Sequence, residues 1–223
     1  MNYVIMCGGQ YDIWKIPRQL CRINDESLIS RTVRLLHNEG VPWKDIYVST
    51  NIPIIKEFCE NNLIKVLWQE DNKWIVYKPG KSSGYWCDAF YPMASPTCYL
   101  MGDVVFSQEA IHTIVNTETD DIEFFASAPP FAKNYIKPYA EPFAFKVQNY
   151  QHLIEAQKET RLLADQKKFR RTPIAWEFWH VIKGTPLNKI DYTNYTVIND
   201  YTCDIDKPED AVKFEQIIKS ISL

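Results

Sequence analysis

Tyr3-Val4-Ile5-Met6-Cys7-Gly8-Gly9 is an apolar run that stops at two of the chain's seven glycines, and its reading decides the fold. β-Branched and aromatic residues ending at a glycine pair predict a buried strand followed by a tight turn. Glycine tolerates positive φ there and lets another group approach the backbone closely. At the carboxyl end of the first strand of an α/β sheet, that group is most often a phosphate or a nucleotide.

Further strands are expected at Ile46–Ser49, Lys65–Trp68, Cys98–Met101, Ile122–Ala126, Phe143–Val147 and Tyr195–Ile198. Helical periodicity falls between several of them. Leu28, Ile29, Val33, Leu35 and Leu36 fit a helix opened by Ser27 as N-cap. Ile54, Ile55 and Phe58 fit a second, and Ala110, Ile111, Ile114 and Val115 a third. Such alternation predicts a three-layer α/β/α architecture with a mostly parallel, mixed central sheet. Leu153–Phe169 and Ile174–Ile182 read as amphipathic helices, and 78–84 as a loop leading into a short helix over Trp86–Tyr91. A last helix starts at Asp206-Lys207-Pro208-Glu209, where Asp206 and Glu209 match a capping box.

With 223 residues, 46% of them hydrophobic and 24% charged, the chain reads as one soluble domain spanning 1–223. The net charge of -3 and the lack of a basic stripe argue against nucleic acid as a partner. Lys167-Lys168-Phe169-Arg170-Arg171 is read as a solvated helix end. No stretch approaches about 18 consecutive apolar residues, so no membrane span is expected. The six cysteines have no metal-ligand spacing and read as free thiols, which predicts a cytoplasmic protein. The dense aromatics of 74–91 and 124–145 read as core. The four histidines lie far apart at helical positions, and no P-loop or GxGxxG spacing occurs.

From Cys7 the chain continues CGGQYDIWKIPRQLCRINDESLISRT. The order of strand, Gly-Gly loop, Pro17-Arg18, Ile23-Asn24 and Leu28-Ile29-Ser30-Arg31-Thr32 resembles the nucleotidyltransferases of GT-A-like, Rossmann-like fold, which include the sugar-phosphate and MobA-like NTP transferases. The resemblance implies that Met6, Cys7, Gly8, Gly9 and Arg18 meet the nucleotide and that Arg18 neutralises triphosphate charge. The loop departs from the family's at Gln10–Trp14, where a third glycine and a Thr-Arg pair are replaced, and Lys15 is the substitute cation. Gly102-Asp103 after the strand at 98–101 resembles the family's metal-binding aspartate. Asp204-Ile205-Asp206-Lys207-Pro208-Glu209-Asp210 resembles its late acidic segment.

The resemblance thus implies Asp103 and Asp206 as ligands of Mg²⁺, a hard ion suited to carboxylates and phosphates. Asp206 is equally a helix cap, and Asp204 is the reserve ligand. Lys137, in Tyr135-Ile136-Lys137-Pro138, corresponds to a lysine that meets the acceptor phosphate, and Gly84 to a glycine against base or ribose. Residues of about 124–182 form an acceptor-side insertion or lid on this reading.

The function implied is Mg²⁺-dependent transfer of a nucleotidyl group from an NTP to a small phosphorylated acceptor, with release of pyrophosphate. Arg18, Lys15 and Asp103 are its catalytic candidates. Two alternatives stay open. Asp204-Ile205-Asp206 is a DxD triplet of the kind found in GT-A glycosyltransferases that use sugar nucleotides. The altered loop also suits a non-catalytic nucleotide-binding protein.

Overall fold

Strand β1 (Asn2–Met6) lies inside the central sheet, paired in parallel with β4 (Ile46–Thr50) on one side and β6 (Thr97–Met101) on the other. The computed structural model describes residues 1–9, 13–69, 85–187 and 192–221. The loop expected at 78–84, Gly84 and Gln10–Asp12 lie outside the described residues.

The remaining strands in chain order are β2 (Arg22–Ile23), β3 (Glu26–Ser27), β5 (Lys65–Trp68), β7 (Val104–Val105), β8 (Ile122–Ala126), β9 (Pro142–Val147), β10 (Thr196–Val197) and β11 (Cys203–Asp204). The helices are α1 (Leu28–Asn38), α2 (Pro53–Asn61), α3 (Gln108–Asn116), α4 (Tyr150–Asp165), α5 (Ala175–Lys183) and α6 (Pro208–Ile221). Seven strands form the main sheet in the order β10-β8-β9-β6-β1-β4-β5. β9 runs antiparallel to both of its neighbours, so the sheet is mixed but mostly parallel, as expected.

Burial explains the near-continuous apolar strands. Every residue of β6 is buried, and so are Val4, Ile5 and Met6 of β1, because both faces of a parallel sheet are covered. Part of the expected aromatic core is there, although Tyr139 is exposed and Trp74 and Tyr77 lie outside the described residues. Phe124 meets Trp176 edge-on with centroids 5.2 Å apart, and Phe90 meets Tyr99 edge-on at 5.0 Å. Phe124, Phe125, Phe143, Phe145, Phe178 and Trp179 are all buried, which makes 124–182 part of the sheet and its covering layer.

Local signals explain the element ends. Ser27 caps α1 by accepting from the Ser30 N–H at 3.1 Å. Asn24 and Asp25 both adopt positive φ, the geometry a two-residue β2–β3 hairpin requires. α4 ends at Asp165, four residues earlier than its sequence pattern, and Lys167 just beyond takes a left-handed φ of 55°. The expected helix at 86–91 is a single 3-10 turn over Trp86–Ala89. At α6 the cap is Asp210 rather than Glu209: its Oδ2 accepts from the N–H groups of Asp206 and Lys207, each at 3.2 Å. Glu209 is exposed.

Candidate active site

The site is built where β1 ends. The Cys7 N–H donates to the Ser49 carbonyl at 2.8 Å, which holds the chain in register with β4 as it leaves the sheet. Gly8 follows, its carbonyl accepting from the Gln19 amide at 3.2 Å, and Gly9 takes φ +74°, with no atom of the described residues within 4 Å of where a Cβ would stand. Lys15 is exposed, and Trp14 turns inward so that its indole N–H donates to the Asp206 carbonyl at 2.9 Å. Pro17 then starts a 3-10 turn over Arg18–Leu20 that carries Arg18 under the loop.

Asp103 arrives from the neighbouring strand. β6 ends at Met101, and Gly102 lets the chain turn tightly against β1 into β7. β7 pairs antiparallel with β11, matching Val104 to Asp204 and Val105 to Cys203. The Ile205 N–H continues the ladder by donating to the Asp103 carbonyl at 2.8 Å. Alternation along this segment sends Cys203 and Ile205 into a small second core with Trp14, Ile23, Leu28, Val105, Ala211 and Phe214. Asp204 and Asp206 consequently project the other way, toward Asp103, Arg18 and Lys137.

Two cations bind this acidic edge. Arg18, with its side chain 10% exposed, forms a close ion pair with Asp103, sits 3.5 Å from Asp206 Oδ1 and donates to the Ile205 carbonyl at 3.2 Å. Lys137 comes from the 127–141 loop between β8 and β9. Its ammonium lies 2.5 Å from Asp206 Oδ2, 3.2 Å from Asp210 Oδ2 and 3.3 Å from Asp204 Oδ1. Ser127 anchors the far end of that loop. Its Oγ accepts from the Glu141 N–H at 2.8 Å, while the Ser127 N–H donates to the Glu141 carbonyl at 3.0 Å.

The electrostatics follow from this crowding. Burial, the Asp204 and Asp206 charges and a hydrogen bond to Asp204 push the Glu141 carboxyl well above the usual carboxylate range. Burial and the Asp103 and Asp206 charges raise Asp204 as well. Burial alone would lower the Lys137 ammonium, but Asp204, Asp206 and Asp210 outweigh it and hold the charge in place. Against its own burial, Asp210 is kept low by Lys137 and by the backbone N–H of Lys207.

Carboxylate oxygens of Glu141, Asp204 and Asp206 lie within 4.8 Å of one another. An all-oxygen, carboxylate-rich donor set of this kind fits a hard divalent cation such as Mg²⁺.

The structure therefore brings together Arg18, Asp103, Asp206 and Lys137, with Gly8 and Gly9 on the same β1 loop and Met6, Cys7 and Gly102 packed behind it. Gly84 is outside the described residues. Glu141 and Asp210 were not singled out by the sequence. Glu141 stands between Ala140 and Pro142 with no neighbouring acid to draw notice. Asp210 was overshadowed by Glu209 at the expected capping position. The histidines are elsewhere: His112 pairs with Glu39 and His152 with Asp121.

No family model matches the sequence, and no curated protein matches it. Solved structures do match over nearly the whole chain. The CTP:phosphocholine cytidylyltransferase LicC of Streptococcus pneumoniae is 12% identical, with 97% of this chain and 98% of that one covered and a TM-score of 0.54. A nucleoside-diphosphate-sugar pyrophosphorylase of Vibrio cholerae RC9 is 11% identical, with 96% and 99% covered and a TM-score of 0.57. A putative glucose-1-phosphate thymidylyltransferase of Bacillus anthracis is 15% identical, with 97% and 94% covered and a TM-score of 0.56. The chain has the fold of these nucleotidyltransferases.

Proposed function

We propose that the protein is a Mg²⁺-dependent nucleotidyltransferase that joins the NMP part of an NTP to a small phosphorylated acceptor, a sugar phosphate or an alcohol phosphate, and releases pyrophosphate. The observation that carries this reading is the chain of ion pairs from Asp103 through Arg18 to Asp206 and Lys137 beside the Gly8-Gly9 loop. It links a triphosphate-side cation to an acceptor-side cation across carboxylates suited to a metal.

In this reading Gly8 and Gly9 offer backbone N–H groups to the triphosphate, next to Met6, Cys7 and Gly102. Arg18 offsets phosphate charge, with Lys15 as a second cation at the exposed edge of the loop. Asp103 and Asp206 would hold Mg²⁺, which when bound supplies charge neutralisation at the phosphates. Gly84 is proposed against the base or ribose. Lys137 meets the acceptor phosphate, and the segment 124–182 is the acceptor side, through its 127–141 loop. The acceptor's phosphate oxygen is already a competent nucleophile, so positioning and charge neutralisation suffice without a general base.

The test is pyrophosphate release with each of the four NTPs, Mg²⁺ and a panel of sugar phosphates and alcohol phosphates. Release that requires both NTP and acceptor is expected. NTP binding without release across the panel supports a non-catalytic nucleotide-binding protein instead. Preferential turnover of UDP- or GDP-sugars supports a glycosyltransferase.

A further inference from the structure

The ammonium of Lys137 sits in the very group of carboxylates that suits a divalent cation. Its side chain is 7% exposed, and three aspartates lie within 3.3 Å of Nζ. Glu141 faces the same centre at 8% exposure, fixed at the backbone by both hydrogen bonds to Ser127. Its carboxyl group lies against the Asp204 and Asp206 carboxylates and is hydrogen-bonded to Asp204. Asp204 Oδ1 is out of contact with solvent and accepts no hydrogen bond among the described residues, although Lys137 lies 3.3 Å away. Asp204 Oδ1 thus has coordination capacity to spare beside Glu141, and the Lys137 ammonium lies on the Asp204 and Asp206 side of the group.

We propose that Lys137 and a divalent cation compete for one site formed by Glu141, Asp204 and Asp206, and that the ammonium must be displaced for the metal to enter. A single positive charge at fixed stem length satisfies the aspartates in part. A divalent ion of hard-oxygen preference satisfies them better and also draws on Glu141, which gives its proton up to solvent as the ion binds. The displaced ammonium, on a loop beside the β1 end, is then free to pair with an incoming anion. Metal entry and anion capture become one exchange. The exchange rests on the transferase reading only for the nature of that anion, a phosphorylated acceptor.

The test is equilibrium binding of Mn²⁺ alone, followed by the loss of the free-ion paramagnetic resonance signal, with no nucleotide present. Lys137→Met is expected to bind Mn²⁺ at least about tenfold more tightly than the unaltered protein, because a competing charge within contact distance is gone. Glu141→Gln is expected to weaken Mn²⁺ binding by about 10- to 100-fold, in the unaltered chain and in the Lys137→Met background alike. Equal or weaker binding by Lys137→Met, or no loss on Glu141→Gln, overturns the proposal. Near-ultraviolet circular dichroism checks that each variant is folded. Lys137→Gln replaces Lys137→Met if that variant is not, and Glu141→Gln needs no change at Lys137. Tighter Mn²⁺ binding without any pyrophosphate release defeats the transferase reading alone. Pyrophosphate release with unchanged Mn²⁺ binding in Lys137→Met defeats the exchange alone.

Discussion

Gly102 closes directly onto Met6: its N–H donates to the Met6 carbonyl at 3.0 Å, and a Cβ at position 102 would stand 2.5 Å from that oxygen and 2.6 Å from Cys7 Sγ. Those distances are far inside van der Waals contact, and one of the two clashing atoms is backbone. Gly102→Ala should force the ends of β1 and β6 apart and cost about 1–3 kcal/mol as overpacking. For a chain of this length that is a fall in Tm of roughly 2–4 °C per kcal/mol. An unchanged melting temperature would show that the strand ends are less tightly joined than this contact implies.

Arg18 serves Asp103 and Asp206 together, which takes the fork of a guanidinium rather than a point charge. Arg18→Lys should therefore restore little, with kcat/KM for pyrophosphate release down at least about tenfold. Asp103→Ala removes a proposed metal ligand and should lower turnover by about 100- to 1,000-fold, the scale seen for loss of a preorganised electrostatic group. Steady-state pyrophosphate release measures both. Retained release by Asp103→Ala would remove Asp103 from the mechanism.

Glu141 gives the protein a specific pH dependence. Its folded-state pKa lies above the unfolded one, so its contribution to stability is complete below the ordinary glutamate value of about 4.3 and is lost as pH rises toward its raised folded value. Glu141→Gln keeps the neutral form at every pH. In metal-free buffer, the melting temperature of Glu141→Gln relative to the unaltered chain should climb steadily from pH 5 to pH 8. A difference that stays flat over that range would mean that the carboxyl is already ionised in the folded protein.

The cysteines should be chemically quiet. Burial raises the thiols of Cys59, Cys87 and Cys98 to about 12, and it pushes Cys7 and Cys203 up as well. Cys21 is also raised by burial but is the one cysteine of intermediate exposure. At pH 8, iodoacetamide should modify Cys21 first and slowly, and all six only after denaturation, as read by intact-mass spectrometry. Rapid modification of Cys7 in the native protein would contradict the packing at the end of β1.

Much of this was legible in the sequence because short apolar runs bounded by turn signals announce strands. Ile122–Ala126 and Lys65–Trp68 were read to the residue, since apolar β-branched and aromatic runs have few other uses. Arg18, Asp103 and Asp206 were picked out by the resemblance of Pro17-Arg18, Gly102-Asp103 and Asp204–Asp210 to family segments, and the fold brings the three side chains together. Glu141 was not. Its role comes from packing against Asp204, which is 63 residues away along the chain, and no local pattern encodes that meeting. The capping of α6 was misassigned by one position for a related reason: Glu209 and Asp210 are both acids at plausible offsets, and only the turn geometry chooses between them. The two-strand β7–β11 ladder was likewise hidden, because pairs this short leave no periodicity.

That short ladder has a consequence in time. Every strand of the seven-stranded sheet precedes Cys203 in the chain, whereas Asp204, Asp206 and Asp210 follow it. A chain synthesised from its amino end can therefore form its scaffold, with Asp103 and Glu141 in it, before the three late aspartates exist to complete the acidic group. Only when β11 returns to β7, spanning about a hundred residues of sequence, does Lys137 find its partners and Arg18 its second one, Asp206. Assembly of the scaffold and the onset of charge-dependent chemistry are thus separate events, and the second waits for residues 203–210.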